Sequence, residues 1–284
     1  MNFYILKNFL SDTLFLLLSV TLLSGCLQKI QPTKIAFQPV YENVDLNCES
    51  KFHADNMGKI ENAESKQWQY QQLQFYIHGV EVKTKSNGWQ SWEMTTNSNQ
   101  SSNVALLGET CSENNEISNW QLELVPLDDD VAITDIRLSL GVPFVLNHLN
   151  PLTQPSPLND SSMFWGWRGG HKFMRIELLA KDDDWLFHLG STGCKASSPV
   201  RAPKSECLYP NRVIVSLPFT DQASVIAFDL AALIRDIHLT RNNGCQSAVD
   251  EDSCKMLFKN LGINSNDSNK TLLFVVDDRI LFFK

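Results

Sequence analysis

The chain has 284 residues and carries 32 acidic against 24 basic side chains, which gives a formal net charge of −8. Proteins bind phosphate backbones through basic patches, and Lys and Arg form no dense cluster in this sequence. The sequence therefore argues against nucleic acid as a partner. The length suffices for one large β domain with a continuous core.

The N-terminus has the pattern of a targeting segment. Lys7 precedes an apolar stretch over residues 13–23. This stretch is shorter than the roughly 20 residues that a bilayer-spanning helix needs. We therefore predict a cleaved export signal over residues 1–25 rather than a membrane span.

The tetrapeptide that ends at Cys26 is Leu-Ser-Gly-Cys, which resembles the bacterial lipobox. The resemblance implies that Cys26 is lipidated and becomes the new N-terminus. Several acyl chains anchor a protein stably, where a single chain would be marginal. Leu27 instead of Asp favours the outer membrane, on its periplasmic side or at the cell surface. The alternative is an ordinary signal peptide with a chance cysteine.

Six further cysteines would lie in an oxidising compartment after export, where disulfides are the rule. Six cysteines allow 15 pairings. Proximity along the chain favours three particular disulfides, Cys48–Cys111, Cys194–Cys207 and Cys245–Cys254. A zinc or copper site built on thiolates is the alternative, although the sequence lacks a close C-x-x-C pair.

Short strand patterns follow one another through most of the chain. After a tether over residues 26–34, a domain is predicted over 35–284. Residues 72–83 alternate in polarity, and Asn87-Gly88 predicts a hairpin turn before Trp89. The predicted strands are 35–40, 72–83, 120–125, 132–140, 173–180, 185–189, 212–217 and 224–228.

Only two stretches have helical spacing, residues 229–237 and residues 254–261, the second ending before Gly262. The polar stretch 95–103 is predicted to be an exposed loop tip. Many short strands with few helices indicate an all-β, single-domain β-sandwich or jelly-roll-like fold with short peripheral helices and about three disulfides.

Residues 141–175 form the most distinctive segment. Four prolines restrict the backbone, so most of 143–159 is predicted to be neither helix nor central strand. A cluster of Trp and Phe follows directly. Rings of that size bury on the order of 150–250 Å² each. We therefore predict an ordered, packed loop, and loops of this length are usually functional.

Four histidines lie in or beside aromatic-rich segments: His78, His148, His171 and His188. Imidazole suits copper, zinc, iron and nickel, so a transition-metal site is one hypothesis. The competing interpretation for each histidine is a hydrogen-bonded core or loop residue. A further alternative is a surface module whose aromatic loop binds a glycan or a protein without metal. A serine hydrolase is disfavoured because no G-x-S-x-G motif is present.

Nine short motifs stand out along the chain: FYIH at 75–78, VALL at 104–107, GVPFVLNH at 141–148, PLN at 157–159, MFWGW at 163–167, GHKF at 170–173, FHLGSTGC at 187–194, PN at 210–211 and GC at 244–245. Together they resemble the MbnP-like family, the four-cysteine proteins of the metallo-mystery pair. The similarity runs from about Phe37 to Leu261, and the cysteine motif of the family corresponds to Cys194, Cys207, Cys245 and Cys254.

The resemblance implies a periplasmic or surface copper-binding protein, with Cu(I) as the expected ion, and no enzymatic activity of its own. In the family, a di-haem, MauG-like peroxidase partner oxidises a tryptophan of the copper protein to kynurenine. If the cysteines form disulfides, they cannot bind an ion as thiolates. Imidazoles then remain as donors for the softer ion, with the Met163 sulfur as a further donor.

Residue by residue, the resemblance implies His78, His148 and His188 as metal ligands and Trp165 and Trp167 as oxidation targets. His171 stands where the family usually has Tyr, so it is either an additional ligand or a packing replacement. Related copper proteins carry the modified tryptophan two residues before a copper histidine, and that place is Tyr76 here.

Overall fold

A computed structural model describes residues 31–54, 66–111, 117–127, 131–219, 225–263 and 273–277. The segment predicted to be a lipoprotein signal, including Cys26, lies outside these residues, and the description concerns the unit from Pro32 onward. Across the described ranges, no helix combines the length and apolarity of a bilayer span.

Strands dominate the described residues. They are β1 (Thr33–Tyr41), β2 (Val44–Asp45), β3 (Phe52–His53), β4 (Gln67–Thr84), β5 (Trp89–Ser91), β6 (Gln100–Ser101), β7 (Val104–Thr110), β8 (Ile117–Asn119), β9 (Gln121–Leu124), β10 (Ile133–Leu140), β11 (Phe164–Gly166), β12 (Gly170–Ala180), β13 (Asp183–Gly190), β14 (Val213–Pro218), β15 (Val225–Asp229) and β16 (Phe274–Asp277). The helices are α1 (Phe144–Asn147), α2 (Leu230–Leu233) and α3 (Asp252–Asn260), with 3-10 turns at Pro151–Thr153, Ser161–Met163 and Arg241–Asn243.

Two sheets carry the fold. In the larger, the order is β11-β12-β4-β10-β14, with β13 beside β12 and with β3, β5 and β7 also paired to the long strand β4. In the smaller, the order is β16-β15-β1-β2, with β9 on β1. Strands β1 and β15 run parallel, and the other pairs are antiparallel. The predicted all-β sandwich with short helices is confirmed.

The core lies between the two sheets and is rich in aromatic rings. Phe75 of β4 stacks on Phe228 of β15, with ring centroids 5.2 Å apart, and meets Phe274 edge-on at 5.5 Å. Period-two patterning explains which side chains enter it: Val213, Val215 and Leu217 are buried on β14, whereas Ile214 between them is exposed.

All three predicted disulfides are present. Cys48 pairs with Cys111, Cys194 with Cys207 and Cys245 with Cys254. Pairing by proximity in sequence therefore selected the correct arrangement from the possible ones. Two of these disulfides connect loops and α3 to the end of β13, where the candidate site lies: Cys194–Cys207 and Cys245–Cys254.

Two local expectations were wrong at their edges. The helix predicted over 229–237 lasts from Leu230 to Leu233, because Asp229 still belongs to β15 and Asp236 has a φ of +62° that ends helical geometry. The polar stretch 95–103 is not wholly an exposed loop tip. Gln100 is fully buried, and its amide is satisfied there by donating to the Thr95 carbonyl at 2.7 Å.

The Pro-rich loop is ordered and packed, as predicted, with Leu158 fully buried. It is nevertheless not free of helix, because α1 and the turn Pro151–Thr153 lie within it. Each begins at or just after a proline, where the missing amide N–H is no loss, so the prolines start these short helices instead of preventing them.

Candidate metal centre

Helix α1 brings a buried amide and a buried imidazole side by side. Pro143 caps its N-terminus, and the helix ends after one turn at Asn147, which is fully buried. His148 follows as the C-terminal cap and is 4% exposed. The sequence step from Asn147 to His148 therefore places two polar side chains in the interior, where each needs partners.

Asn147 joins this loop to the start of β12. Its Oδ1 accepts the backbone N–H of His171 at 2.8 Å, and its Nδ2 lies 3.1 Å from Nε2 of His148. Gly170 has a φ of +78°, and a Cβ at that position would lie 2.6 Å from the Asn147 amide. Glycine at 170 therefore allows β12 to start against the Asn147 side chain.

Both ring nitrogens of His148 are hydrogen-bonded. Nδ1–H donates to the Trp167 carbonyl at 3.2 Å, and the lone pair of Nε2 accepts from the Asn147 amide at 3.1 Å, a donor that a metal ion would replace. Burial lowers the pKa of His148, and the positive charge of Arg212 lowers it further. His148 is therefore neutral at pH 7, which is the form that binds a metal ion.

His78 is also oriented by backbone carbonyls, those of Gly141 and Ser139, on a different element. It lies on β4 just before Gly79, whose φ of +59° accompanies a shift in the pairing of β4 with β10. Nδ1 lies 2.8 Å from the Gly141 carbonyl, so it carries the proton and Nε2 the lone pair. Burial lowers the pKa of His78, and Arg212 contributes in the same direction.

His188 is oriented by a carboxylate. It lies on β13 opposite Arg175 of β12, and Nε2–H donates to Oε1 of Glu177 at 3.0 Å. This bond, together with the hydrogen bond and charge of Arg175, lowers the pKa of Glu177 to about 2. Burial lowers the pKa of His188, so the pair is a neutral imidazole beside an ionised carboxylate. Nδ1 is buried and has no hydrogen-bond partner among the described residues.

His171 differs from these three histidines. It is fully buried, Nδ1 lies 2.8 Å from the Asn147 carbonyl and Nε2 lies 3.0 Å from the Leu158 carbonyl. Burial lowers its pKa. A metal ion at either nitrogen would have to displace a carbonyl oxygen, so in this arrangement His171 connects α1, the loop and β12 instead of offering a donor.

The candidate ligands do not all converge. His78 and His148 share the charge of Arg212, whereas the charged neighbours of His188 are Glu177, Lys172 and Arg175. Among the described residues, no group of three metal-binding side chains with donor atoms within 4.8 Å of one another contains two histidines. His78 and His148 therefore share one electrostatic environment, and His188 has another.

The two candidate tryptophans lie in different surroundings. Trp167 is bound to His148 through its backbone carbonyl, and its ring meets Phe164 edge-on with centroids 6.5 Å apart. Trp165 packs against Gly190, and its Nε1 is buried without a hydrogen-bond partner among the described residues. Trp165 also lines a cavity of about 300 Å³ that Cys194 shares.

Tyr76 and Met163 are both fully buried. The Tyr76 hydroxyl donates to the Pro157 carbonyl at 3.0 Å, and its ring meets His171 edge-on. The Met163 sulfur lies 4.0 Å from the Gln72 amide nitrogen. Both side chains thus have packing roles in the wall around the Pro-rich loop.

Sequence reasoning missed two residues that organise the site. Asn147 contacts both His148 and His171, and its only sequence signal is its place inside the motif that ends at His148. Arg212 donates to the Val142 carbonyl at 2.6 Å and lies over the Phe173 ring. No local pattern marks Arg212, because its site neighbours Val142 and Phe173 come from distant parts of the chain, although its ion-pair partner Glu206 is near in sequence.

These features define a class: a disulfide-bonded all-β protein with neutral, buried histidines oriented by carbonyl and carboxylate acceptors. A model of the MbnP family matches residues 30–247. The chain therefore belongs to the MbnP family. The structure is also similar to that of MbnP from Methylosinus trichosporium, with a TM-score of 0.69 and 24% identity over 82% of this chain and 88% of that one. A comparison with curated protein sequences finds no significant match.

Proposed function

We propose that this protein binds copper, as Cu(I), in copper homeostasis, with His148 and His78 as principal ligands and His188 as a further donor. Family membership supports this proposal, and one observation carries it. His148 is neutral and buried, with Nδ1 held by a carbonyl and Nε2 carrying the lone pair. Metal-bound histidines almost always donate their other ring N–H to such an acceptor.

The donor set fits the ion. The six described cysteines are in disulfides, so their sulfurs are not thiolates. Neutral imidazoles remain, which suit copper and zinc alike. His188 fits the same pattern through Glu177, and its buried, unpartnered Nδ1 would gain a partner from an ion. His171 is left out because both of its nitrogens face carbonyl oxygens.

We further propose that Trp165 or Trp167 is oxidised to kynurenine by a di-haem, MauG-like peroxidase. The reaction removes one indole carbon, adds one oxygen and exposes an aniline nitrogen and a ketone. The protein is then a substrate of that peroxidase and not itself an enzyme. Trp167 is supported by its backbone bond to His148, and Trp165 by its place at the cavity. Lipidation of Cys26 would hold the protein at the outer membrane.

Copper titration of the purified full chain tests the binding proposal. We expect about one Cu(I) per chain, and His148→Gln should weaken binding at least about tenfold, since even an orienting partner of a ligand is worth about 10- to 100-fold. His238→Gln, at an exposed position, is the matched control. Unchanged affinity in His148→Gln would refute His148 as a ligand.

Mass spectrometry of protein from its native host tests the oxidation. A tryptic peptide with Trp165 or Trp167 should gain one oxygen and lose one carbon, and deletion of the peroxidase gene should abolish the change. Unmodified tryptophan at both positions in cells that express the peroxidase would contradict the proposal.

A surface binding module remains the alternative, and exposed apolar side chains on the Pro-rich loop favour it. Val145 is 73% exposed and Leu152 is 85% exposed. A glycan or protein ligand on this loop would be lost in Trp165→Ala/Trp167→Ala while metal content stayed the same. If this double variant instead lost copper and kept every glycan or protein ligand, the result would favour the metal function.

A further inference from the structure

We propose that the Cys194–Cys207 disulfide conceals a second metal site. When a dithiol reduces this disulfide, the two thiolates and Nε2 of His148 form a three-donor site for a soft ion such as Cu(I) or Cd(II). The site differs from the imidazole site proposed above, because two of its three donors exist only after reduction.

The three donor atoms are already close together. Nε2 of His148 lies 3.7 Å from Sγ of Cys207, and these two atoms and Sγ of Cys194 all lie within 4.8 Å of one another. Zn(II), bound at about 2.3 Å from sulfur and about 2.0 Å from nitrogen, holds its donors roughly 3.5–4 Å apart, which is the reference spacing for a site of this kind. After reduction, only the two sulfurs therefore have to separate.

His148 is oriented for this role. Its Nδ1–H donates to the Trp167 carbonyl, so the lone pair is on Nε2, the nitrogen that lies beside Cys207. This lone pair accepts from the Asn147 amide at 3.1 Å, and a bound ion would take the place of that donor. Cys207 is 4% exposed and is therefore shielded from solvent. A buried thiolate beside a neutral imidazole would need a cation, and a soft metal ion supplies one.

The geometry also provides access for a reductant. Cys194 lines the cavity of about 300 Å³ together with Trp165 and Thr192, and most of residues 195–206 are exposed. A dithiol attacks Sγ of Cys194, and Cys207 leaves as the thiolate. The second thiol of the reductant then closes its own disulfide. The two cysteines thus gain two electrons and two protons. When their sulfurs bind the metal ion as thiolates, the two protons are released to solvent.

Neither of the other two disulfides has a histidine beside its sulfurs in a group of three donor atoms among the described residues. Cys245 and Cys254 belong to no such group of donor atoms among the described residues. Cys48 and Cys111 lie beside Glu109, a hard oxygen donor whose carboxylate already accepts the Tyr70 hydroxyl. The Cys245–Cys254 pair is the better control, because it closes a loop of similar length, 9 against 13 residues.

The first test needs no reductant. In the full chain, Cys194→Ser leaves Cys207 as a free thiol beside His148 and preserves the other two disulfides. The rate at which iodoacetamide alkylates Cys207 is measured by peptide mass spectrometry with and without Cd(II). We expect Cd(II) to slow alkylation at least about tenfold, and His148→Gln in the same background to remove most of this protection. No protection, or protection that His148→Gln leaves intact, overturns the proposal.

The second test uses the reduced chain. After treatment with dithiothreitol and its anaerobic removal, Cd(II) should produce thiolate charge-transfer absorbance that saturates at one ion per chain. Cys245→Ser/Cys254→Ser should retain this absorbance, and Cys194→Ser/Cys207→Ser should lose it. Equal loss in both double variants would overturn the assignment.

A third variant separates this proposal from the proposed function. His78→Gln should weaken copper binding by the oxidised chain and leave the protection of Cys207 by Cd(II) unchanged. The imidazole site and the thiolate site can therefore fail independently, although His148 belongs to both.

Discussion

His148 and His171 belong to neighbouring motifs, are both buried and both contact Asn147, yet their surroundings give them opposite capacities. In His148, Nδ1–H donates to a carbonyl, and the lone pair of Nε2 faces the Asn147 amide and Cys207. His171 has carbonyl oxygens at both nitrogens. Hydrogen-bond partners, and not residue type or spacing, therefore distinguish the proposed metal ligand His148 from His171.

Breaking the junction that both histidines share should have the largest effect. Gly170→Ala adds a Cβ 2.6 Å from the Asn147 amide at a φ of +78°. Overpacking and positive φ each cost about 1–3 kcal/mol, so we expect the free energy of unfolding to fall by about 3 kcal/mol. Urea denaturation measures this. Gly88→Ala, with nothing within 4 Å, is the matched control, and equal losses in both variants would refute the account.

Replacing each of the two histidines by leucine, in separate variants, should distinguish their roles. His171→Leu leaves the Asn147 and Leu158 carbonyls without the imidazole, which costs about 1–3 kcal/mol of unfolding free energy. Copper affinity of the folded chain should stay within about twofold, because no proposed ligand is removed. His148→Leu should instead lower copper affinity at least about tenfold. Equal loss of copper in both variants would abolish the distinction.

Acid should destabilise the fold through both histidines. Burial lowers the pKa of each below the ordinary value of 6.5, so below that pH the unfolded chain binds more protons than the folded one. The contribution of these histidines to the free energy of unfolding is therefore fully present above about pH 6.5. Below that pH the free energy of unfolding falls by at most about 1.4 kcal/mol per pH unit for each histidine. In His171→Leu this slope should be shallower. Identical slopes in urea titrations of both proteins would contradict the assignment.

The smallest effect concerns the charge near His148. Arg212 lowers the pKa of His148 and His78 but is not among the causes that shift the pKa of His171. Arg212→Gln should raise the pKa of the first two histidines and leave that of His171 unchanged. Histidine resonances followed by NMR across pH would measure all three. A similar rise at His171 would show that the variant loosens the loop as a whole.

Local patterns in the sequence predicted much of this fold because they report local physics. Alternation along β14 and β13 predicts strands, since successive side chains point to opposite faces. Closeness in sequence was enough to pair Cys194 with Cys207 and Cys245 with Cys254. The helix over 229–237 was overestimated because Asp229 pairs within a sheet, and strand pairing depends on distant residues.

The site shows where such reasoning ends. The sequence by itself determined the all-β class, the disulfide framework, the family motifs and the set of candidate histidines. Only the tertiary structure decided that His171 faces two carbonyls, that His188 faces Glu177 and that His148 lies against Cys207. These are contacts between residues 11–59 positions apart, and their hydrogen bonds arise from folding, which the order of residue types does not display.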